Sequence, residues 1–153
     1  FYEDTYSLYN LYRFAHYYEE AYGKYIWLKS GASLVIEHTE AMTVIDVNTG
    51  SVLKKKKQED TLFYQINREA AKEIARQLRL RNISGIIMID FINMKDTAQK
   101  EKLLSLLDSE CKKDRVHCNV IDMTALNLVE MTRSKVRKPL HEQIRSCMKN
   151  NRS

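Results

Sequence analysis

The chain has 153 residues, 44% of them hydrophobic and 29% charged, a balance that excludes a disordered chain and fits one globular domain. A formal charge of +5, from 25 Lys+Arg against 20 Asp+Glu, favours an anionic partner, nucleic acid being the commonest. The apolar runs are short, residues 86–89 among them, which excludes a membrane-spanning helix, and no signal-like run opens the residues given.

Residues 1–25 hold eight of the nine tyrosines. Tyr9, Tyr12, Ala15 and Tyr18 recur at about helical spacing, so a helix is expected there, with the aromatic stripe as a packing face rather than a base-stacking platform. The first residue is Phe1, and a fragment of a longer polypeptide is the expectation. A helix with several exposed tyrosines leaves an apolar patch, so self-association through residues 1–25 is expected. Ser30-Gly31 marks a turn. Residues 33–37 and 42–47 read as strands, and Asn48-Thr49-Gly50 ends the second. Lys54-Lys55-Lys56-Lys57 begins a polar loop, either a solvated surface run or a site for a polyanion.

Residues 61–81 form the clearest helix. Leu62, Ile66, Ala70, Ile74 and Leu78 line one face, and Arg68, Lys72 and Arg76 form a basic stripe at the same spacing. Glu69 and Glu73 lie one step round and are placed to pair with it. Residues 86–89 are uninterruptedly apolar, the mark of a strand buried on both faces. Residues 97–111 read as a second amphipathic helix, with Leu103, Leu104, Leu106 and Leu107 inward. Residues 116–123 and 126–131 read as two more strands. Pro139, the single proline, limits any helix from Ser134, though one could restart at Leu140. Residues 131–153 carry seven bases and one acid. Cys111, Cys118 and Cys147 lack paired spacing, as in a reduced, cytoplasmic protein. Strands and helices alternate, which predicts an α/β fold.

Two strands end alike, in Val44-Ile45-Asp46 and Met88-Ile89-Asp90. In open α/β sheets the reactive crevice lies beyond the carboxyl ends of the strands. Two carboxylates there would repel unless a proton or cation lay between them, and Mg²⁺ typically takes one or two carboxylates and keeps waters for phosphate. Asn48, two residues beyond Asp46, is on the same side of its strand and could orient a carboxylate or a metal-bound water. The competing reading is that each Asp caps a turn or a helix. No spacing for a zinc site, a nucleotide-binding loop or a serine nucleophile is present.

The stretches WLKSGASLVIEHTEAMTVIDVNTG, NREAAKEIARQLRLRNISGIIMIDFINMKD and DRVHCNVIDMTALNLVEMTR together resemble the ribonuclease E/G family, in its block order and spacing, over about residues 27–140. The resemblance implies an α/β catalytic subdomain of pancreatic deoxyribonuclease type, with a mixed sheet flanked by helices and preceded by an N-terminal helix. Residues 1–26 would be a tyrosine-rich helical segment, 27–140 the catalytic subdomain and 141–153 a basic tail. The resemblance implies endonucleolytic hydrolysis of single-stranded RNA in the bacterial cytoplasm. It makes Asp46 and Asp90 the ligands of Mg²⁺, with Mn²⁺ as an alternative, and gives Asn48 a supporting catalytic role. RNA contacts are expected from Arg68, Lys72, Arg76, Arg115, Arg133, Lys135 and Arg137. The oligonucleotide-binding barrel that usually opens family members is not among the residues given, so weak or no cleavage is expected of this chain alone. Where the family carries a CPxC zinc link, this chain reads Cys147-Met148-Lys149-Asn150, so no zinc is expected in it. A non-catalytic RNA-binding or scaffold module is the alternative, and the presence of both aspartates and Asn48 argues against it.

Overall fold

The computed structural model describes residues 5–11, 21–50 and 59–150. Most of the tyrosine stripe, the lysine run 54–57 and the side chain of Cys147 lie outside these residues. A short helix, α1 (Leu8–Leu11), comes first, and then strands β1 (Tyr25–Trp27), β2 (Ser33–His38) and β3 (Met42–Asn48). The long helix α2 (Glu59–Leu80) leads to β4 (Gly85–Asp90), and α3 (Thr97–Cys111) to the hairpin of β5 (Cys118–Met123) and β6 (Leu128–Arg133). Helix α4 (Leu140–Asn150) follows Pro139 directly.

The strands form one mixed sheet in the order β1-β2-β3-β4-β6-β5. All pairs are antiparallel except β3 and β4. A parallel pair cannot be joined by a tight turn, and α2 lies in the crossover between β3 and β4. The α/β class and the mixed sheet are those expected. The sheet begins at Tyr25, inside the segment read as helical from its tyrosines.

One face of the sheet is sealed by the helices. Leu34, Ile36, Ile45, Val47, Ile87, Ile89, Val129 and Met131 point to it and form one core with Ile66, Ala70, Ile74 and Leu78 of α2 and Leu103 and Leu107 of α3. Among the described residues nothing seals the other face. Val35, Val44 and Met88 are half-buried there, and Ile86 is 50% exposed. The expectation that β4 is buried on both faces is therefore corrected. An apolar run has no alternation to read, so it could not show that Ile86 and Met88 face outward while Ile87 and Ile89 face the core.

Buried polar groups pin the ends of the elements. Asn67, fully buried on α2, donates to the carbonyl of Ile92 at 2.7 Å and accepts from the Ile92 amide at 3.0 Å. That pair fixes the chain as it leaves β4. The Glu69 carboxylate accepts from the amides of Lys29 (2.7 Å) and Ser30 (3.3 Å), tying the β1–β2 turn to α2. Glu69 therefore holds this turn and is not the partner of the basic stripe.

The same turn meets the exit of β3 at Gly50. Its φ is +57°, and a Cβ there would lie 2.6 Å from the carbonyl oxygen of Gly31. Gly50→Ala should therefore combine left-handed strain with a backbone clash and cost about 1–3 kcal/mol. Urea unfolding of the variant checks this, and a midpoint like that of the parent would show that the two turns separate freely.

Candidate active site

Two short stretches of alternating residues place the chemistry. Ile45 and Val47 turn into the core, so Asp46 and Asn48 face the open side of the sheet. Ile87 and Ile89 do the same in β4, and Asp90 faces the open side. The parallel register of β3 and β4 sets Asp46 directly opposite Asp90. Neighbouring strands are about 4.8 Å apart, so the two carboxylates stand side by side. They lie on the sheet face near the carboxyl ends of the strands, not in a crevice beyond those ends. Neither caps a helix or a turn.

Asn48 completes the arrangement. Its Nδ2 donates to Asp46 Oδ2 at 2.8 Å, which orients the carboxylate and leaves Oδ1 for another partner. Asp90 is held above the usual carboxylate range by burial, with the negative charge of Asp46 adding to the effect. Two carboxylates in this position favour a cation between them. The donors are all oxygen and one side is open, which suits a hard divalent ion that retains waters and binds phosphate. Among the described residues no group of three or more His, Cys, Asp or Glu side chains could hold a metal ion. The two carboxylates and Asn48 are therefore the oxygen donors that the described residues offer here, with further positions left to water or phosphate.

The basic residues expected to hold RNA fall into three groups. Arg68, Lys72 and Arg76 are exposed on α2, in the layer behind the sheet, so they are not brought to the two aspartates. The Arg68 guanidinium sits 5.6 Å above the Tyr64 ring, and Arg76 makes a forked pair with Glu73 at 2.8–3.0 Å. Lys72 and Arg76 line a groove of about 750 Å³ beside β1, together with Lys29 and Arg79.

Arg115 and Arg137 line a second groove, of about 510 Å³. Lys135 is exposed, 3.7 Å from Glu142. This region follows Arg133, which pairs with Gly85 at the start of β4, whereas Asp90 pairs with Leu128. It is thus about 16 Å along the strands from the carboxylates.

Arg133 is placed differently from the other bases. It is 4% exposed, and its guanidinium donates to Asp114 Oδ2 (2.9 Å), Asn82 Oδ1 (3.0 Å) and the Ile83 carbonyl (2.9 Å). Nε and Nη1 are thus spent on the fold, which makes Arg133 a structural cation first, although it also borders the groove of Arg115 and Arg137. The positioning roles of Asn67 and Glu69 were missed. Asn67 carried a signal, a polar residue at a position of α2 flanked by buried Ile66 and Ala70.

The chain is similar to known ribonucleases over most of its length. The chain is 45% identical to ribonuclease G of Escherichia coli K12 over 122 residues, which is 80% of this chain and 25% of that one. It is 42% identical to ribonuclease G of Haemophilus influenzae over 139 residues, 91% of this chain and 28% of that one. Ribonuclease E of the cyanobacterium Nostoc is 42% identical over 115 residues, 75% of this chain and 17% of the relative. The chain thus spans about a quarter of the length of the ribonuclease G relatives. The sequence pattern of the ribonuclease E/G family matches residues 1–136, a stretch that includes both aspartates, Asn48, Asn67 and Glu69, and by that match the chain belongs to the ribonuclease E/G family.

Proposed function

We propose that this chain is the catalytic part of a divalent-metal-dependent endoribonuclease that hydrolyses single-stranded RNA in the bacterial cytoplasm. The observation that carries the reading is the in-register pairing of Asp46 with Asp90 on the open face of the sheet, with Asn48 bonded to Asp46. Asp46 and Asp90 would hold Mg²⁺, with Mn²⁺ as the natural substitute. When bound, the ion supplies charge against the scissile phosphate and a nucleophile that forms near neutral pH. Asn48 fixes the Asp46 carboxylate, and Asn67 fixes the chain that follows Asp90. The products would carry a 5′-phosphate and a 3′-hydroxyl.

The basic groups serve the backbone away from the cut. Lys72 and Arg76 would contact phosphates along the β1 groove. Arg68 lies on the same helix face, and Arg115, Lys135 and Arg137 would act at the far end of the sheet. Binding of an unstructured oligoribonucleotide should weaken as salt rises. Lys72→Gln combined with Arg76→Gln should flatten the slope of log K against log salt by about 1.4, at about 0.7 for each phosphate contact on a single strand. An unchanged slope would make them a solvated face, with Arg76 kept by its pair with Glu73.

The reading is tested by exchange. This chain would replace the matching quarter of E. coli ribonuclease G, and the hybrid would be given an A/U-rich single strand and its duplex. Cleavage of the single strand alone, stopped by EDTA and restored by Mg²⁺, is expected. A folded hybrid that binds the strand but leaves it intact would refute the catalytic role.

A further inference from the structure

The open face carries a feature that the two aspartates do not use. Trp27 is 73% exposed and Tyr25 is 60% exposed, although both lie in a strand of the sheet. Between them Ile26 is buried in the core, so the two rings project from the same face as Asp46 and Asp90. The registers align them with the site. Tyr25 pairs with Val35, Val35 with Asp46, and Asp46 with Asp90, in one row across four strands. Trp27 pairs with Ser33 and Ser33 with Asn48, in the adjoining row.

Two strand spacings separate each ring from the β3 residue of its row, about 10 Å. That span matches about three stacked nucleotides at roughly 3.4 Å each, and fewer where the strand is extended. Tyr25 and Trp27 also border the groove that carries Lys29, Lys72, Arg76 and Arg79. Its two carboxylates have partners within the chain: Glu69 takes the amides of Lys29 and Ser30, and Glu73 takes Arg76 and Gln77. With Arg76 and Glu73 paired to each other, a polyanion meets Lys29, Lys72 and Arg79 as further cations, against Glu69, which is held by two amides. Exposed aromatic faces beside cations are the elements with which proteins hold single strands irrespective of sequence.

We propose that Trp27 and Tyr25 form a base-stacking platform, which takes the nucleobases one to three positions from the scissile phosphate and leads the strand into the basic β1 groove. The proposal rests on the nuclease reading for the position of the cut, but not for the stacking itself. Trp27 gives the main surface, since Lys24 Nζ already lies 5.7 Å from the centre of the Tyr25 ring.

Trp27 is the single tryptophan of the chain, so its fluorescence reports on this position alone. The intact chain would be titrated with an unstructured ten-nucleotide oligoribonucleotide in EDTA, which prevents cleavage. Saturable quenching is expected. By anisotropy of the labelled strand, Trp27→Ala should weaken binding at least about fivefold, and Trp27→Phe should restore most of it. Tyr25→Ala serves as the second variant, with circular dichroism to confirm folding of each. Equal affinity of Trp27→Ala and the parent, or binding without quenching, would overturn the platform. So would a tryptophan signal that changes with protein concentration and not with RNA, because the face would then be a protein interface. Quenching by a strand that is never cut in Mg²⁺, even in the ribonuclease G hybrid, would refute the nuclease reading and leave the platform standing.

Discussion

Asp46→Asn or Asp90→Asn, carried in the ribonuclease G hybrid, should lower the cleavage rate by about 10²–10⁴, the factor that several kcal/mol of transition-state charge stabilisation represents. RNA affinity should be almost unchanged, because the cations that hold the strand lie elsewhere. The same substitutions have a second, independent readout. Asp90 is raised above the ordinary carboxylate range by burial and then by Asp46, so its ionised form disfavours the fold. The sign follows from linkage. Its contribution to stability is fully present below the unfolded carboxyl value of about 4 and is lost as pH rises through the higher folded value. Near neutral pH and without metal, Asp90→Asn should therefore melt at or above the parent temperature. Mg²⁺ should reverse the order. An ion at a hundred times its dissociation constant stabilises the parent by about 2.7 kcal/mol, and a variant that has lost a ligand gains much less. Thermal melts with and without Mg²⁺ measure this apart from any activity. Variants that cut at the parental rate, or melts that shift equally for all three proteins, would remove the two carboxylates from the site.

Much of this arrangement is legible in the sequence, and the reason is the strict period of a strand. Once Ile45 and Val47 are set inward, Asp46 and Asn48 must share the outward face, and the 2.8 Å bond between them follows from that parity. The adjacency of Asp46 and Asp90 is harder to see. It needs the parallel β3–β4 register, which no local pattern specifies, and there the family resemblance supplied what spacing left open. Strand β1 was hidden for a different reason. Three residues are too few to show alternation, and they close a run of tyrosines whose spacing suits a helix. The open face was hidden because residues 86–89 are apolar throughout, so the pattern could not say which of them lacked a cover. The structural role of Arg133 is hidden by composition. The residue sits among basic residues and was counted with them, yet Val129 and Met131 point inward in the same strand, and position 133 shares their parity. Its basic neighbours belong to the chain that follows the strand.

That parity makes Arg133 the place where substitution should do most damage to the fold. Its side chain is 3% exposed and that of its partner Asp114 is 7% exposed. Removing one member of such a pair leaves a buried charge uncompensated, so Arg133→Ala should cost about 3–5 kcal/mol. The loss spreads through Asn82, whose Oδ1 accepts from Arg133 and whose Nδ2 donates to the carbonyls of Arg137 (3.0 Å) and Lys138 (3.3 Å). The link from β6 to α4 should loosen with it. Arg133→Lys should recover only part of the stability, since an ammonium on a flexible stem cannot reproduce the planar fork that reaches Asp114, Asn82 and Ile83 together. The pH profile gives a further check. Burial pushes the Asp114 carboxyl up, but hydrogen bonds from Arg133 and the Val116 amide outweigh it and hold the group below its ordinary value. The contribution of the pair is thus present above the unfolded carboxyl value of about 4 and is lost as pH falls through the lower folded value. In Arg133→Ala burial is left with less opposition, so Asp114 should titrate higher and acid unfolding should begin at higher pH. Removing Asp114 as well should cost less than the sum of the two single losses, because the second substitution takes away the stranded charge. A variant that unfolds like the parent yet binds RNA more weakly would return Arg133 to the surface and restore it as a phosphate contact.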